Sequence, residues 1–435
     1  MKKKYSMIAV AGAVAIAGAT LTTMPAHAAT PSITIWVDAP RLPGAQLYAK
    51  IMKGKVNVKV ELHAQGDLVQ KIALFNRVKK GWPDVVFGPP NDVSVLADNN
   101  NVLALDNLAD AAFWKDMAGG NNWCKGSDGK YYCVKNDLAQ DVLWVNTKLM
   151  KEFGYKVPTT MDAFAAIGAD IAKNHPGYSL GALGSQGMYS GYLWPSQCPV
   201  NAATSSTVVK IAPNSPKCTR ATALVQPMIE SGVLSTSAPW DADFIADYGS
   251  KDKVVMTIGP SWFGEFVIRP ASSWAVPAGE ITAAPMPMWA GEKVNYSGEW
   301  GGGIYTVSPH AKFPKEALAF AKFMVSDKRN VVDVLNPDGS HGAPTFPASA
   351  AGNALWKAKI SSDKYYAADP YPAMLAQSTK IFPGEKPVSY DSNGAMEGTY
   401  ANSLKKNKNA QTALNEFATY ASGLAKQLGY TVKSA

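Results

Sequence analysis

Three short segments near the start of the chain have the composition of strands, and the segments between them have the spacing of helices. Residues 32–37 (SITIWV), 56–62 (VNVKVEL) and 84–87 (DVVF) are largely apolar and rich in β-branched side chains. Residues 44–52 and 68–80 place apolar side chains at intervals typical of a helix. Because parallel strands are joined only through crossover connections, this alternation predicts a mostly parallel sheet with helices on its faces.

The same alternation returns farther along, so the whole chain is predicted to be an α/β protein. Further strands are predicted at 142–145 and 253–258, and further helices at 147–152, 161–174, 315–325 and 410–428. Thr160 is the predicted N-cap of one of these helices. A chain of 435 residues exceeds what one compact core holds, and neither a repeat nor a long linker divides it. We therefore expect two lobes that exchange segments.

The first 28 residues have the pattern of a secretory signal peptide. Lysines at positions 2–4 precede an apolar run at 7–21, and Ala26 and Ala28 form a small-residue cleavage site. The apolar run is short for a membrane span, which disfavours an uncleaved anchor. No cysteine lies near the cleavage site, so we expect no lipid anchor. The pattern predicts an exported protein, in the periplasm or at the cell exterior.

The charge of the chain gives no reason to expect a nucleic-acid partner. Cleavage after Ala28 would remove three lysines and lower the formal net charge from +8 to +5. The remaining basic residues are scattered, apart from a small group at 405–408, and a nucleic-acid site would need a basic patch.

The four cysteines predict disulfides, because an even number in an exported chain is typical of paired thiols. Four cysteines allow three pairings. We favour Cys124 with Cys133 and Cys198 with Cys218, since each pair closes a short local loop. A zinc site is the alternative, but neither pair has the CxxC spacing that such sites use.

Polar residues follow the predicted strands at the positions where parallel sheets bind ligands, outside the carboxyl ends of the strands. Asp38 and Arg41 follow the first strand, Gln65 follows the second, and Asn91 and Asp92 follow the third. These side chains predict a polar cleft, and Asn136 is a further candidate.

Four aromatic residues are candidates for ligand contact. Trp262 follows the strand predicted at 253–258, and Trp300 directly precedes three glycines, of which Gly301 and Gly302 are also candidates. Tyr189 and Trp194 lie in the glycine- and serine-containing segment GMYSGYLW. An aromatic face suits the C–H face of a sugar, and amides and carboxylates suit its hydroxyls. Local packing is the alternative for each ring taken alone.

Motifs for catalysis are weak. Residues 177–181 (GYSLG) match G-x-S-x-G, but a nucleophile elbow needs a strand before Ser179 and a helix after it, and neither is predicted. His310 and His341 lie downstream, so a triad is formally possible. A pair of carboxylates for glycoside cleavage stays open, because their separation is a three-dimensional quantity. No zinc, calcium or phosphate-loop motif is present, and we expect neither metal nor cofactor.

Several segments, taken in order, resemble the extracellular solute-binding proteins of ABC importers, and specifically their sugar-binding, maltodextrin-binding-like branch. The segments are SITIWV at 32–37, QKIALFNRVKKGWPDVVF at 70–87, VLWVNTKLMKEFGYKVPTTMDAF at 142–164, KVVMTIGPSWF at 253–263 and GGGIYTVSPHAKFPKEALAFAKFM at 301–324. The resemblance covers nearly the whole chain after residue 28. One departure is Trp144, where the family usually has a tyrosine near the asparagine.

The resemblance implies a two-lobed periplasmic-binding-protein fold, each lobe a mostly parallel sheet flanked by helices. Crossover strands would join one lobe of residues 29–138 and 302–345 to another of 139–301 and 346–435. It also implies a monomer that closes on a carbohydrate by a hinge and delivers it to an ABC permease without chemistry. Trp262 would stack on the sugar, and Trp300 would pack on it beside the hinge glycines.

Two other functions stay open at this point. A receptor of the same fold could bind a non-sugar solute, such as a polyamine or a phosphate ester. A secreted hydrolase, using Ser179 or a carboxylate pair, is less expected.

Overall fold

The computed structural model describes residues 30–63, 68–90, 96–97, 100–117, 123–126, 128–205, 207–334, 345–384, 388 and 390–434. The predicted signal peptide, residues 1–28, lies outside these ranges, as do the candidate residues Gln65, Asn91 and Asp92.

Eleven strands are present in the described residues. They are β1 (Ser32–Val37), β2 (Asn57–Leu62), β3 (Val85–Gly88), β4 (Val134–Lys135), β5 (Asp141–Asn146), β6 (Ala202–Ser205), β7 (Val208–Lys210), β8 (Met256–Pro260), β9 (Ile281–Ala284), β10 (Ile304–Val307) and β11 (Thr431–Lys433).

The same described residues contain fourteen α-helices. They are α1 (Leu42–Ile51), α2 (Leu68–Val78), α3 (Ala111–Asp116), α4 (Thr147–Glu152), α5 (Met161–Asn174), α6 (Pro216–Glu230), α7 (Ala242–Asp247), α8 (Pro314–Ser326), α9 (Lys328–Val331), α10 (Ala350–Ile360), α11 (Tyr371–Ser378), α12 (Ser392–Ala395), α13 (Asn402–Asn407) and α14 (Ala410–Gln427). Wider π-helical turns occur at Tyr189–Leu193, Gly264–Ile268 and Met396–Ala401.

The first lobe is built on a five-stranded sheet in the order β2-β1-β3-β10-β4. β1 pairs in parallel with β2 and β3, as the alternation at the start of the chain predicts. β10 enters antiparallel between β3 and β4, although it lies far from both in sequence. Apolar side chains of α1 and α8 pack against this sheet, and Ile35, Phe87 and Tyr305 are buried beneath them.

The second lobe differs from the prediction in strand direction. Its three-stranded sheet has the order β8-β5-β9, and both pairings are antiparallel. β5 leads away from the first lobe, whereas β8 and β9 run back toward it, so each must oppose β5. The prediction of a mostly parallel sheet in each lobe is therefore wrong here. A separate small sheet, in the order β11-β7-β6, includes the last strand of the chain.

Two large apolar cores support the two sheets. The first contains Ile33, Val85 and Phe320. The second contains Leu143, Phe164 and Phe417, and α5, α6 and α14 contribute to it. A third apolar cluster beside the second sheet gathers Trp144, Trp274 and Trp356 with other aromatic rings. The long C-terminal helix α14 packs against the second core. The residue boundaries expected for the lobes stay a prediction.

Local signals placed the start of α5 correctly but not the bounds of β8. The Thr160 hydroxyl accepts a hydrogen bond from Ala163 N at 3.1 Å, so the predicted N-cap of α5 is confirmed. The strand predicted at 253–258 is observed at Met256–Pro260, and Val254 makes only an isolated bridge with Ser179. In the described ranges, no helix combines the length and apolar character that a bilayer crossing requires.

Both favoured disulfides are present, and all four cysteines are buried. Cys124 is bonded to Cys133, across a sequence separation of 9, and Cys198 to Cys218, across a separation of 20. The first staples a loop onto the strand that begins at Val134. The second ties α6 to the turn that follows Trp194.

We expect the double variant Cys198→Ser/Cys218→Ser to lose about 3 kcal/mol of unfolding free energy, because the bond restricts the unfolded chain. The matched double variant Cys124→Ser/Cys133→Ser should lose less, since it opens a shorter loop. Urea unfolding followed by circular dichroism measures both. An equal or larger loss for the shorter loop would contradict this chain-entropy explanation.

Candidate functional site

Three chain segments, 136–140, 297–303 and 345–349, run side by side where the chain passes between the lobes. Backbone hydrogen bonds and isolated β-bridges join them; Trp300 N, for example, donates to Ala139 O at 3.0 Å. These segments have short connections to both sheets. They therefore form the crossover expected from the resemblance, and they are the part of the fold about which the lobes could move.

A cavity of about 580 Å³ lies beside the crossover, between the lobes. Arg41 and Phe87 line it from the first lobe, and Trp240, Trp262 and Glu397 from the second. This volume lies within the range of small-molecule sites, which are concave, largely apolar and equipped with few polar groups.

The structure brings five of the predicted site residues together in the cavity lining, namely Arg41, Trp262, Trp300, Gly301 and Gly302. Pro89 and Pro90, which directly precede the candidates Asn91 and Asp92, also line it. The other predicted residues that the structure describes, Asp38, Asn136, Tyr189 and Trp194, lie outside the lining.

Asp38 holds Arg41 in place instead of facing the cavity. Its carboxylate accepts from Arg41 N and from the guanidinium, both at 3.3 Å. Arg41 also lies 3.9 Å from the Asp137 carboxylate and 4.4 Å from the centre of the Phe87 ring. Burial lowers the pKa of Arg41, but the carboxylates of Asp38 and Asp137 more than offset it, so the net shift is upward. Arg41 is therefore a charged residue whose charge is already compensated.

Asn136 is fully buried in the crossover. Its amide donates to Asp137 Oδ1 at 2.7 Å. Burial raises the pKa of Asp137, and the charge of Arg41 partly opposes that rise. Asn136 thus hydrogen-bonds to Asp137, which lines the cavity, and does not itself reach the cavity.

Tyr189 and Trp194 belong to a buried helical turn and not to an open loop. Trp194 is only 4% exposed, and its indole N–H donates to Phe382 O at 2.9 Å. Its ring also meets Trp123, from the disulfide loop of the first lobe, at 6.1 Å between centroids. Trp194 therefore makes an aromatic contact between the lobes, whereas Tyr189 packs at the edge of the second core.

Trp300 is held inside a group of aromatic rings at the cavity wall. It is 4% exposed, and its ring centroid lies 5.4 Å from those of Trp240 and Phe263 and 5.9 Å from that of Trp262. Its carbonyl oxygen accepts the indole N–H of Trp262 at 2.7 Å. Trp300 thus fixes the ring of Trp262, and little of its own surface is left for a ligand.

The glycines after Trp300 are required by close packing at the crossover. Gly302 has a φ of +72°, and a Cβ built there would lie 2.7 Å from Asp137 O and 2.8 Å from Lys135 Nζ. A Cβ on Gly303 would lie 2.1 Å from the Phe87 ring. Any side chain at these positions would push the crossover away from the first sheet.

The ammonium beside Gly302 belongs to a buried ion pair. Lys135 Nζ lies 3.1 Å from Glu299 Oε1, and the two side chains are 0% and 3% exposed. The same carboxylate oxygen accepts from Ala139 N at 3.4 Å. Removing one partner of such a pair strands the other in a dry environment, at a cost of about 3–5 kcal/mol.

Asp141, at the start of β5, is a second buried acid of the crossover region. Burial raises its pKa to about 8; Ser190 opposes the shift and Glu299 adds to it. The Asp141 side chain is therefore mostly protonated at neutral pH.

Ser179 is not positioned as a nucleophile. It is fully buried, and its hydroxyl lies 3.2 Å from Gly181 O and 3.1 Å from Val233 O, as donor to backbone carbonyls. His310 is exposed and stacks on Trp82 at 3.7 Å. His341 lies outside the described residues. Within the described part of the chain, no three His, Cys, Asp or Glu side chains come together as metal ligands would.

Sequence reasoning missed several lining residues, among them Trp240, Phe266 and Glu397. Trp240 lies in a proline-containing loop, SAPWDADF, that follows no predicted strand. The loop composition was a usable signal for Trp240. Glu397 lies in a helical segment, and nothing in its local pattern distinguishes it from a solvated helix residue.

We expect Gly302→Ala to lower the unfolding free energy by about 2–4 kcal/mol, because a strained φ and a steric clash with the buried charges add together. Gly279→Ala is the matched control: its φ is +85°, but no atom lies within 4 Å of the added Cβ, so only the backbone cost of about 1 kcal/mol applies. Chemical denaturation of both variants measures the difference. Equal losses would show that the crossover tolerates a side chain at Gly302.

We also expect the unfolding free energy to fall as the pH rises toward 8, with Asp141 as one cause. Between its ordinary pKa of 3.8 and about 8, the folded state holds a proton on Asp141 that the unfolded state has released. The contribution to the slope is at most about 1.4 kcal/mol per pH unit. Asp141→Asn should flatten this slope, whereas Asp162→Asn, at an exposed position of α5, should not. Denaturation midpoints between pH 5 and 9 provide the measurement, and an unchanged slope in Asp141→Asn would contradict it.

Comparisons with known proteins agree with this architecture. The binding protein of an ABC transporter from B. animalis subsp. lactis Bl-04, solved with β-1,6-galactobiose, superposes with a TM-score of 0.72 at 20% identity, over 93% of this chain and 100% of that chain. The lacto-N-biose-binding protein of Bifidobacterium longum gives 0.74 at 17% identity with the same coverage. The GacH receptor of Streptomyces glaucescens GLA.O, solved unliganded and with acarbose, gives 0.70 at 18% identity, over 92% and 100%. These similarities confirm the predicted two-lobed α/β fold.

The sequence itself identifies the family. No curated protein matches the chain. A family model described as bacterial extracellular solute-binding protein matches residues 46–364, which is most of the chain. The expected export of the protein agrees with this description. The chain therefore belongs to the bacterial extracellular solute-binding proteins.

Proposed function

We propose that this receptor binds a carbohydrate in the cavity between its lobes, by hinge closure, and delivers it intact to an ABC importer. The observation that carries the proposal is the composition of the cavity. Trp240, Trp262 and Phe266 supply aromatic surface, and Gln186 and Glu397 supply hydrogen-bonding groups. A sugar presents both an apolar C–H face and a ring of hydroxyls, so it matches such a lining.

The similar structures support the same ligand class. The three described above carry β-1,6-galactobiose, lacto-N-biose and acarbose, according to their descriptions. The identities of 17–20% are too low to transfer any one of these ligands to this chain. They favour a carbohydrate as a class and leave its identity to experiment.

The charges of the cavity disfavour an anionic ligand such as a phosphate ester. Arg41 is the only basic residue of the described lining, and Asp38 and Asp137 already compensate it. A phosphate ester would need an unpaired cation. A polyamine would need carboxylates. Glu397 and Asp391 line the cavity and keep their charge, although Glu397 accepts from the Ser185 hydroxyl at 2.6 Å and Asp391 accepts from Gly394 N at 2.8 Å, so the polyamine is the alternative that a binding test must exclude.

The absence of catalysis is part of the proposal. Ser179 is buried and bonded to backbone carbonyls, which leaves the serine mechanism without support. We propose that the contacts made when the lobes close stabilise the bound ligand and do not promote a reaction. A micromolar dissociation constant corresponds to about 8 kcal/mol. Several hydrogen bonds at about 1 kcal/mol each and one or two ring contacts of similar size would supply it.

The expected motion is a rotation of one lobe against the other about the crossover segments. Residues 29–138 with 302–345 would move against 139–301 with 346–435. The predicted ligand contacts Gln65, Asn91 and Asp92 would add polar groups from the first lobe. Those roles, like the division into lobes, stay predictions.

The first test is a titration of the mature protein with β-1,6-galactobiose, lacto-N-biose, acarbose and maltotriose, followed by tryptophan fluorescence and calorimetry. We expect saturable binding of at least one of these sugars and its recovery intact by chromatography. Trp262→Ala should raise the dissociation constant about tenfold or more, the equivalent of 1.4 kcal/mol. Trp82→Ala is the control, because that ring stacks on His310 away from the cavity.

Two results would contradict the proposal in different ways. If no carbohydrate of a wider panel binds, the proposal of a carbohydrate ligand is wrong, but the family assignment is unaffected. Breakdown of a bound sugar would show an enzyme in place of a receptor.

A further inference from the structure

Trp240 differs from the other rings of the cavity in how much of its surface is free. It is 44% exposed, whereas Trp300, which the sequence predicted as a ligand contact, is 4% exposed. Of the large apolar side chains that are strongly exposed in the described ranges, Trp240 is the one that lines the cavity. An exposed indole in a concave site is more informative than a scattered surface apolar residue.

The loop that carries Trp240 is firmly held. The indole N–H of Trp274, a buried ring, donates to Pro239 O at 2.8 Å. Ala238 N donates to the Asp241 carboxylate at 3.0 Å, and the Ser237 hydroxyl donates to that of Asp243 at 2.7 Å. Hydrogen bonds therefore hold the backbone on which Trp240 is exposed, and this lowers the cost of ordering the loop when a ligand binds.

Two other rings of the cavity wall adjoin Trp240, at an angle to it. Its centroid lies 5.4 Å from that of Trp300, with the planes inclined at 53°, and 6.4 Å from that of Trp262, at 30°. Trp300 is in turn covered by Phe263, and Trp262 is tied by its indole N–H to Trp300 O. Trp300 thus acts as a support, and Trp240 is the most exposed ring of this aromatic group.

Polar groups line the same cavity from a loop that is bonded to the loop of Trp240. Gly184 N donates to Ser237 O at 2.9 Å, so the loop that carries Ser185 and Gln186 is bonded directly to the loop of Trp240. Ser185 and Gln186 line the same cavity. An apolar platform and hydrogen-bonding side chains therefore belong to one rigid unit of the second lobe.

We infer that Trp240 is the aromatic residue on which the ligand stacks and that it determines specificity. Its indole ring would pack against the C–H face of a pyranose when no polar substituent of the sugar covers that face. This inference rests on the proposed carbohydrate function and goes beyond it. It gives the stacking role, which the resemblance assigns to Trp262, to a residue outside every predicted motif, and it makes Trp300 a support instead of a ligand contact. A sugar whose ring offers no continuous C–H face to the indole would bind less well.

The test compares Trp240→Ala, Trp240→Phe, Trp300→Ala and the control Trp82→Ala, using the sugar that binds most tightly among the four named above. We expect Trp240→Ala to raise the dissociation constant at least tenfold with an unchanged urea midpoint. Trp240→Phe should recover part of the affinity. Trp300→Ala should lower the urea midpoint, because it removes a buried ring. Trp82→Ala should bind as the wild type does.

A second measurement does not depend on any variant. Bound sugar should protect Trp240 from oxidation by N-bromosuccinimide, as located by mass spectrometry of peptides from the wild-type protein. Wild-type affinity in Trp240→Ala, or equal oxidation of Trp240 with and without bound sugar, would overturn the inference while sugar binding itself stands. A fall in the urea midpoint of Trp240→Ala as large as that of Trp300→Ala would mark a structural role and overturn it also. If the wild-type protein binds no carbohydrate, both the proposed function and this inference fall.

Discussion

The buried ion pair between Lys135 and Glu299 is the interaction on which the geometry of the site depends. Both charges are out of water and 3.1 Å apart, so the pair opposes any movement of the crossover that would separate them and leave each charge uncompensated. The ammonium occupies the space where a side chain at position 302 would lie, and this explains the glycine there. Because Glu299 directly precedes Trp300, the ion pair also restricts the position of the Trp300 backbone at the cavity wall.

Charge and aromatic surface have separate roles around the cavity. Arg41, Asp38 and Asp137 compensate one another, and the acids of the crossover are buried or bonded. Little net charge is thus left to attract an ion from the first lobe. The second lobe contributes the aromatic rings of Trp240, Trp262 and Trp300, which differ mainly in their solvent exposure. An uncharged ligand with an apolar face and many hydroxyls fits this division better than an anion does.

Much of the fold follows from local sequence patterns, and the remainder depends on contacts that those patterns do not encode. The strand SITIWV has the predicted bounds because its side chains alternate and its neighbours are breakers. The direction of β8 and β9 relative to β5 depends on where the connections turn, which periodicity does not report. At the site, Trp262 was predicted from its place after a strand. Trp194 and Trp300 were predicted to face a ligand, but distant residues cover both rings. Trp240 was missed because its exposure is a property of the folded surface.

The position of β10 in the first sheet affects how the chain can fold as it is made. β10 pairs with β3 on one side and β4 on the other, although more than two hundred residues separate it from β3 in sequence. Until residues 304–307 have been synthesised, β4 has no partner in that sheet and β3 is left as an open edge. Such distant pairing is slow, since loop closure precedes any gain from the contacts. The first lobe, although it begins near the N-terminus, is thus completed late. For a protein that is exported, this delay lengthens the time in which the chain is still unfolded and can be passed through a narrow channel.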